Sequence, residues 1–496
     1  MSVAIELPRV SLRSLLWMAP RAPTLPRLPV FTSVEPPGNS SAKPEQCSCA
    51  KHRSGVRRSL PGGPMRLQLH VFACATACLL LAGCSEPETK SATSTTVASQ
   101  AAANCATDLV KCARGGSLGD LVPATPAPAT GEPIKLGMIN QENTPVGSFP
   151  ELSGAVKAAL AFINKDLGGI EGRPLELSVC NTNFSTEGSA ACGQKFVEEK
   201  APAVLGGIDV FGNGIDVLAD NDIPFIGGIP VSSSSAQREN SFQWSGGSWG
   251  TTVAFADYAT TTLKAKSVAI LYGDFGPIGE SAEYGKSVLE ARGVQVQLIP
   301  YPIVAADLSG PIQAAAAANP DAMFLMGADT SCRSLIEGAR NTGTKAALFS
   351  PGACAAPAIT SQLAPEVISG VIFNVEGPIS TDTSNPDSEL YNAVVRAYGE
   401  GLDPVGAGTV SFRSMMNLYR ILVGLGATNI NAGSITTALR ATENTTSFMG
   451  HDFTCDGKQF RGLPAMCSPQ QILVEWNDGA LRQIGDWIEV GEIYEG

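Results

Sequence analysis

Histidine is nearly absent: there are three in 496 residues, and only His451 lies beyond position 84. That scarcity argues against a histidine-built metal centre and leaves a Ser–His–acid arrangement a single possible base. Charge is also sparse. Only 16% of residues are charged and the formal net charge is −12, which argues against nucleic acid or an anionic membrane surface as a partner. No P-loop, no Gly-x-Gly-x-x-Gly after a strand and no Cys-x2-Cys knuckle occurs, so neither a nucleotide cofactor nor a metal is expected. The apolar run Leu67–Leu81 is too short to make a good membrane-spanning helix.

Apolar residues are plentiful, at 44%, and the chain can bury a substantial core. Its length allows about three domains or one bilobal fold. Residues 1–84 hold ten basic and three acidic residues, leaving 24 basic against 43 acidic beyond them, a charge of −19. This asymmetry points to a removable basic N-terminal part. Residues 1–64 have scattered Pro and Arg without periodicity and are expected to be a non-native or disordered extension, translation beginning at Met65. Residues 65–83 read as a signal peptide. Its end, Leu81-Ala82-Gly83-Cys84, resembles a bacterial lipobox, which implies lipidation of Cys84 and an extracytoplasmic protein anchored to the cell membrane. Residues 84–132 are rich in Ser, Thr, Ala, Gly and Pro and read as a flexible tether.

Eight cysteines follow Cys84 and fall into four neighbouring pairs: Cys105/Cys112, Cys180/Cys192, Cys332/Cys354 and Cys455/Cys467. An even number behind an export signal reads as disulfides in an oxidising compartment. Neighbour pairing is the simplest connectivity, and the others remain open at this point.

The folded body starts at Ile134. Ile134–Ile139 reads as a buried strand. Val156, Ala159, Leu160, Ile163 and Leu167 then form one helical stripe, Gly168-Gly169 ends it, and Pro174–Cys180 is the next strand. Strand and helix patterns alternate onward. Strands are expected at Ala203–Gly206, Pro224–Gly227, Val268–Tyr272, Val294–Pro300, Ala322–Met326, Ala347–Ser350 and Gly370–Asn374. Alternation of this kind means parallel sheets covered by helices. A helical block follows, and Phe448–Trp476 reads as β. The expected division is 133–250 for lobe 1, 251–376 for lobe 2, 377–446 returning to lobe 1 and 447–496 completing lobe 2.

The order of Ile134–Ile139, Gly147, Gly154, Ile163-Asn164, Gly168–Gly172, Cys180, Val204–Gly207, Ile223–Phe225, Val268–Tyr272 with Asp274, and Gly450 with Asp456-Gly457 resembles one known family. It is similar to the type I periplasmic binding proteins, specifically the branched-chain amino-acid group serving ABC importers. The resemblance implies an α/β fold of two doubly wound parallel-sheet lobes joined by a three-crossover hinge, closing on a small molecule. It also implies an ABC permease as partner and, in our reading, a monomer.

Ligands of open parallel sheets bind beyond the strands' carboxyl ends. The loops there are Asn140–Phe149, Gly207–Gly214, Gly228–Ser235 and Gly273–Gly279, with Ala328–Ser331 and Pro351–Ala353 beside them. The candidate contacts are Asn143, Thr144, Phe211, Gly212, Val231, Ser232, Phe275 and Asp329. Family amino-acid binders hold the carboxylate on amides and hydroxyls and the ammonium on an acid. Here Val210 stands where a serine is frequent, and Gly352 and Ala353 stand near the family's glutamate position. Asp329 or Glu376 would have to supply that charge.

Two Gly-x-Ser-x-Gly matches, around Ser117 and Ser248, raise a serine-hydrolase alternative. Only Ser248 has a strand before it and a helix after it, and its base would have to be His451. A hinge turn is the simpler reading, so no catalytic residue is assigned. The remaining alternative is a sensor of the same fold acting on a signalling partner.

Overall fold

A computed structural model describes residues 105–493 apart from 306, 328, 329 and 383. The extension, the signal peptide, Cys84 and Asp329 lie outside the described residues.

Two parallel sheets organise the chain. The first contains β1 (Ile134–Asn140), β2 (Leu175–Asn181), β3 (Val204–Gly206), β4 (Phe225–Ile226) and β5 (Ser241–Phe242), in the spatial order β2-β1-β3-β4-β5. The second contains β6 (Ser267–Gly273), β7 (Gln295–Tyr301), β8 (Ala322–Met326), β9 (Ala347–Ser350), β10 (Val371–Val375), β11 (Gln471–Asn477) and β12 (Ala480–Ile488). Its order is β12-β11-β10-β9-β8-β6-β7. The five strands β7-β6-β8-β9-β10 thus repeat the winding of the first sheet, and β11 and β12 extend it antiparallel. Every residue of β8 is buried, as expected of a strand with helices over both faces.

Helix Pro150–Lys165 buries Leu152, Val156, Ala159 and Ile163 on the first sheet. Helices Pro386–Tyr398 and Gly408–Leu425 join the same core through Leu390, Tyr391, Phe412, Met415 and Leu418. The chain passes between the sheets three times: after β5, after β10 and before β11.

Two expectations need correction. The segment Phe448–Gln470 contains no strand; regular β-structure begins only at Gln471. Pro464 and Pro469 lack a ladder donor, and Cys455–Cys467 closes the segment on itself. Its apolar residues divide, with Phe448 and Phe453 in the first lobe's core and Phe460 and Leu463 in the second's.

The tether is also shorter than expected. From Cys105 onward the chain is a strap on the first lobe. A short helix, Leu109–Ala113, is closed by Cys105–Cys112, and Val110, Ala113 and Leu118 are buried. Asp387 accepts the Ser117 N–H at 2.9 Å, and Arg420 donates to the Ser117 carbonyl. Ala127 and Ala129 donate to the carbonyls of Asp166 and Asn164. The strap has no periodicity because the lobe, rather than the strap's own helix or sheet, satisfies it.

The remaining disulfides join the neighbours expected from the sequence. Cys180–Cys192, Cys332–Cys354 and Cys455–Cys467 are closed as neighbours, which settles the connectivity. Cys332 and Cys354 flank loops expected to line a ligand cleft, and Cys180 opens another such strand end. Cys192 is fully buried on helix Thr186–Glu198, in the small core with Ile139 and Phe196 beneath the first sheet. Cys354 is fully buried in the turn after β9, in a core shared with Cys332, Leu325 and Leu348. A bridged sulfur is apolar, so it packs with its aliphatic neighbours, and both bridges staple the core.

Burial of the strap's apolar side chains predicts a measurable contribution. A chain starting at residue 133 should lose roughly 3 kcal/mol relative to one starting at residue 105, after the entropy of ordering is offset. Urea denaturation of the two checks this; a true tether would leave the midpoint unchanged.

Candidate functional site

The winding order fixes where a ligand can go. In a 2-1-3-4-5 sheet the direction of winding reverses between the first and third strands, and loops there diverge to leave a crevice. In the first lobe that point lies between β1 and β3; in the second it lies between β6 and β8.

At the first switch point Asn140 ends β1, fully buried, and ties the two loops together. Its Oδ1 accepts from Ile208 N at 3.0 Å, and its Nδ2 donates to the Phe149 carbonyl at 2.8 Å and to Glu142 Oε1 at 2.9 Å. Gly207 passes so close that a Cβ would lie 2.1 Å from Asn140 Oδ1, so no larger residue fits there without movement.

Asp209 shapes the next turn. It is buried, and its Oδ1 accepts from the N–H groups of Phe211 and Gly212, each at 3.2 Å, while Ser189 Oγ donates to Oδ2 at 2.6 Å. Burial pushes its carboxyl above the ordinary value, against these donors, which pull it down. Gly212 has φ +77° and caps helix Asn213–Ala219, and a Cβ there would strike Ser232 and Ser234. Asp209 thereby sets where Phe211 points.

Phe211 meets Phe184, which follows β2, and Phe275, which follows β6 on the second lobe. Ring centroids are 5.2 Å apart for Phe184–Phe211, 5.0 Å for Phe211–Phe275 and 5.8 Å for Phe184–Phe275. Val231 packs partly buried against the same core. Ser233 Oγ, also on the first lobe, donates to Glu280 Oε2 on the second at 2.6 Å.

The other expected contacts fare differently. Asn143 is exposed, with φ +55°, and donates its N–H to Ser148. Thr144 donates to the Gly147 carbonyl, within its own loop. Ser232 departs from expectation: it is fully buried and makes a reciprocal capping box with Ser235, so both its N–H and its hydroxyl are used. Phe184 escapes sequence reasoning because it lies beyond a strand edge, where no spacing marks it.

The family model for periplasmic binding proteins matches residues 133–467. The chain belongs to that family. It shares its fold with the leucine-binding protein LivK of Thermotoga maritima at 16% identity and TM-score 0.59, over 71% of this chain and 98% of that one. LivJ of Streptococcus pneumoniae, solved with isoleucine, gives the same identity, coverages and score. A solute-binding protein of Rhodopseudomonas palustris, in complex with 4-hydroxybenzoate, is 18% identical over 72% of this chain and 97% of that one, TM-score 0.59. No curated protein matches the sequence. Membership makes the chain a solute-binding protein, of a family that works outside the cytoplasm.

A periplasmic binding protein needs a hinge, and here one carboxylate joins all three crossovers. Glu376 follows β10. Its Oε1 accepts from Ser245 Oγ of the first crossover at 2.6 Å and from Gln471 Nε2 of the third at 3.1 Å. Its Oε2 accepts from Arg413 Nη2 at 3.0 Å, and Arg413 also donates to the carbonyls of Glu376 and Trp244. The pair is 8% and 5% exposed at its side chains, so it is a buried ion pair with its lone pairs largely satisfied. Glu376 is therefore a hinge residue and is not free to hold a ligand's ammonium. From Gln471 the network continues through Asn374 to the N–H of Gly352, a loop beside the second lobe's switch point.

Ser248 lies at the start of helix Gly247–Thr261, against Pro230. His451 faces Glu489 at 3.5 Å and the Asp452 carbonyl at 2.9 Å, and its ring packs on Trp487; among the described residues it makes no hydrogen bond to Ser248. Among the described residues no helix is long and apolar enough to cross a membrane. Two surface recesses, about 480 Å³ near Lys135 and Arg173 and about 500 Å³ between helices Ser309–Ala317 and Thr330–Asn341, lie away from the switch-point loops.

The two buried carboxylates can be tested separately. Glu376→Gln leaves Arg413 buried without a counter-charge and should cost about 3 kcal/mol, most of it recovered when Arg413→Met is added; urea midpoints of the singles and the double test this. Asp209 holds its proton more tightly folded than unfolded, so its contribution to stability falls as pH rises from the unfolded value through the raised folded value, and is level above that. Asp209→Asn should remove that slope. Comparing midpoints with the parent chain from about pH 4 to about pH 8 checks the sign.

Proposed function

We propose that this chain is an extracytoplasmic lipoprotein that captures a small polar ligand, such as an amino acid, amide or small carboxylate, for an ABC importer. The observation that carries the reading is the family match across 133–467, which covers the first sheet, the second as far as β10, and the first two crossovers. The ligand sits between the two switch points. Each lobe offers half of the contacts, binding favours closure, and the permease recognises the closed shape.

Phe211, Gly212, Val231 and Phe275 are the contacts we retain nearest the cleft. Asn143, Thr144 and, from its place in the sequence, Asp329 complete the set. The solved relatives support both an apolar amino acid and an aromatic acid as ligand types, since LivJ holds isoleucine and the Rhodopseudomonas protein holds 4-hydroxybenzoate. With Glu376 engaged at the hinge, a ligand ammonium has fewer partners here, and a carboxylate held by main-chain N–H groups is the simpler fit. Ser248 acts as part of the crossover turn.

A thermal-shift screen of leucine, isoleucine, 4-hydroxybenzoate and related amides should find at least one that raises the melting temperature; ligand at a hundredfold its Kd stabilises by about 2.7 kcal/mol. Failure of every small polar compound to do so would count against the reading. Ser248→Ala should leave that shift intact. Cys84→Ala should move the protein from the membrane fraction to the soluble one, and mass spectrometry of the unaltered mature chain should find a lipid on Cys84.

A further inference from the structure

We propose that Phe184, Phe211 and Phe275, with the Ser233–Glu280 hydrogen bond, form a latch that holds the lobes together by protein–protein contact. Ligand closure would then act on an equilibrium the chain has already biased.

Three observations converge on this. The rings touch directly. At 5.0 and 5.8 Å the two pairs that cross between lobes lie within the range for aromatic contact, so no ligand group fits between them. Phe275 belongs to the loop after β6, yet it packs against the hydrophobic core built on the first sheet. The second contact, Ser233 to Glu280, joins the same pair of lobes through different elements, helix Ser233–Gln237 and helix Gly276–Ala291.

Each ring is also fixed by its own loop. Phe211 is aimed by the N–H groups that Asp209 accepts. Phe275 caps its helix, and its carbonyl accepts from Ile278 and Gly279. Phe184 is the most constrained, because Asn183 and Phe184 are consecutive non-glycine residues at φ 52° and 51°. A bulky residue in the left-handed region is uncommon and persists only where its surroundings hold it. The Asn183 N–H donates to Asn181 Oδ1 at 3.0 Å, and the Thr182 N–H donates to the Asn140 carbonyl, which anchors this turn to the first switch point.

The consequence is thermodynamic. If the binding-competent closed form is only a fraction of the population, apparent affinity scales with that fraction. A latch made by protein–protein contact raises the fraction for any ligand, and so adds to affinity whatever contacts the outer faces of Phe211 and Phe275 make with that ligand. The proposal does not depend on the identity of the ligand, and its failure would leave the solute-binding reading untouched.

The test uses ligand-free protein. One spin label is placed on each lobe, at the exposed positions Lys200 and Lys345, and interlobe distances are measured together with the radius of gyration in solution. Phe184→Ala and Phe275→Ala should each lower the closed-to-open ratio roughly tenfold, seen as a longer distance population and a larger radius. Glu280→Gln should shift it in the same direction by less. Circular dichroism confirms folding, and Phe184→Ala decides the matter should Phe275→Ala fail to fold. Distance distributions in the variants identical to the parent's would overturn the latch, as would a parent already as open as the variants.

Discussion

Glu376 is the group on which the bilobal arrangement turns. Among the described residues the crossovers are the only covalent links between the lobes, and a hinge must bend at them without letting them slide. One carboxylate meets that requirement by accepting from the first and third crossovers while standing on the second. Arg413, from a helix of the first lobe, supplies the counter-charge. Burying such a pair is costly, and its net stability is small or negative beside an apolar alternative. Its worth lies in geometry: breaking either partner leaves the other unpaired, so the three strands of the hinge move together. The continuation through Gln471 and Asn374 carries the same network to the N–H of Gly352, in the loop after β9.

Around this fixed point the two lobes repeat one winding, and at each switch point the loops diverge. In the first lobe those loops are held by buried polar side chains, Asn140 and Asp209, rather than by regular structure. That choice has a physical basis. Loops at strand ends have unpaired main-chain groups, and a short buried amide or carboxylate can satisfy several at once while leaving neighbouring N–H groups free to face a ligand. The apolar rings of Phe184, Phe211 and Phe275 then close over the edge.

Much of this was legible in the residues. The helix stripe of Val156, Ala159 and Ile163 and the continuous apolar run of Ala322–Met326 dictate their elements, because burial imposes a period that composition cannot hide. The switch-point loops were also legible, since they follow from strand order, and so was the neighbour pairing of Cys180 with Cys192 and of Cys332 with Cys354. Three things were not. The strap from Cys105 to Pro133 carries no period because its partners lie hundreds of residues away, at Asp387 and Arg420. Glu376 looked like a free cleft acid because its three donors come from three separate parts of the chain, Ser245, Arg413 and Gln471. Ser232 looked like a ligand hydroxyl, although a serine three residues on, Ser235, already marked it as a helix cap.

As proposed, this periplasmic binding protein holds one small solute between its lobes. Native mass spectrometry of the protein after incubation with the small-molecule extract of its own cells tests that directly. A single added small-molecule mass per chain, lost when the protein is unfolded, is the expected result. A spectrum that shows only the bare chain at saturating extract would contradict it.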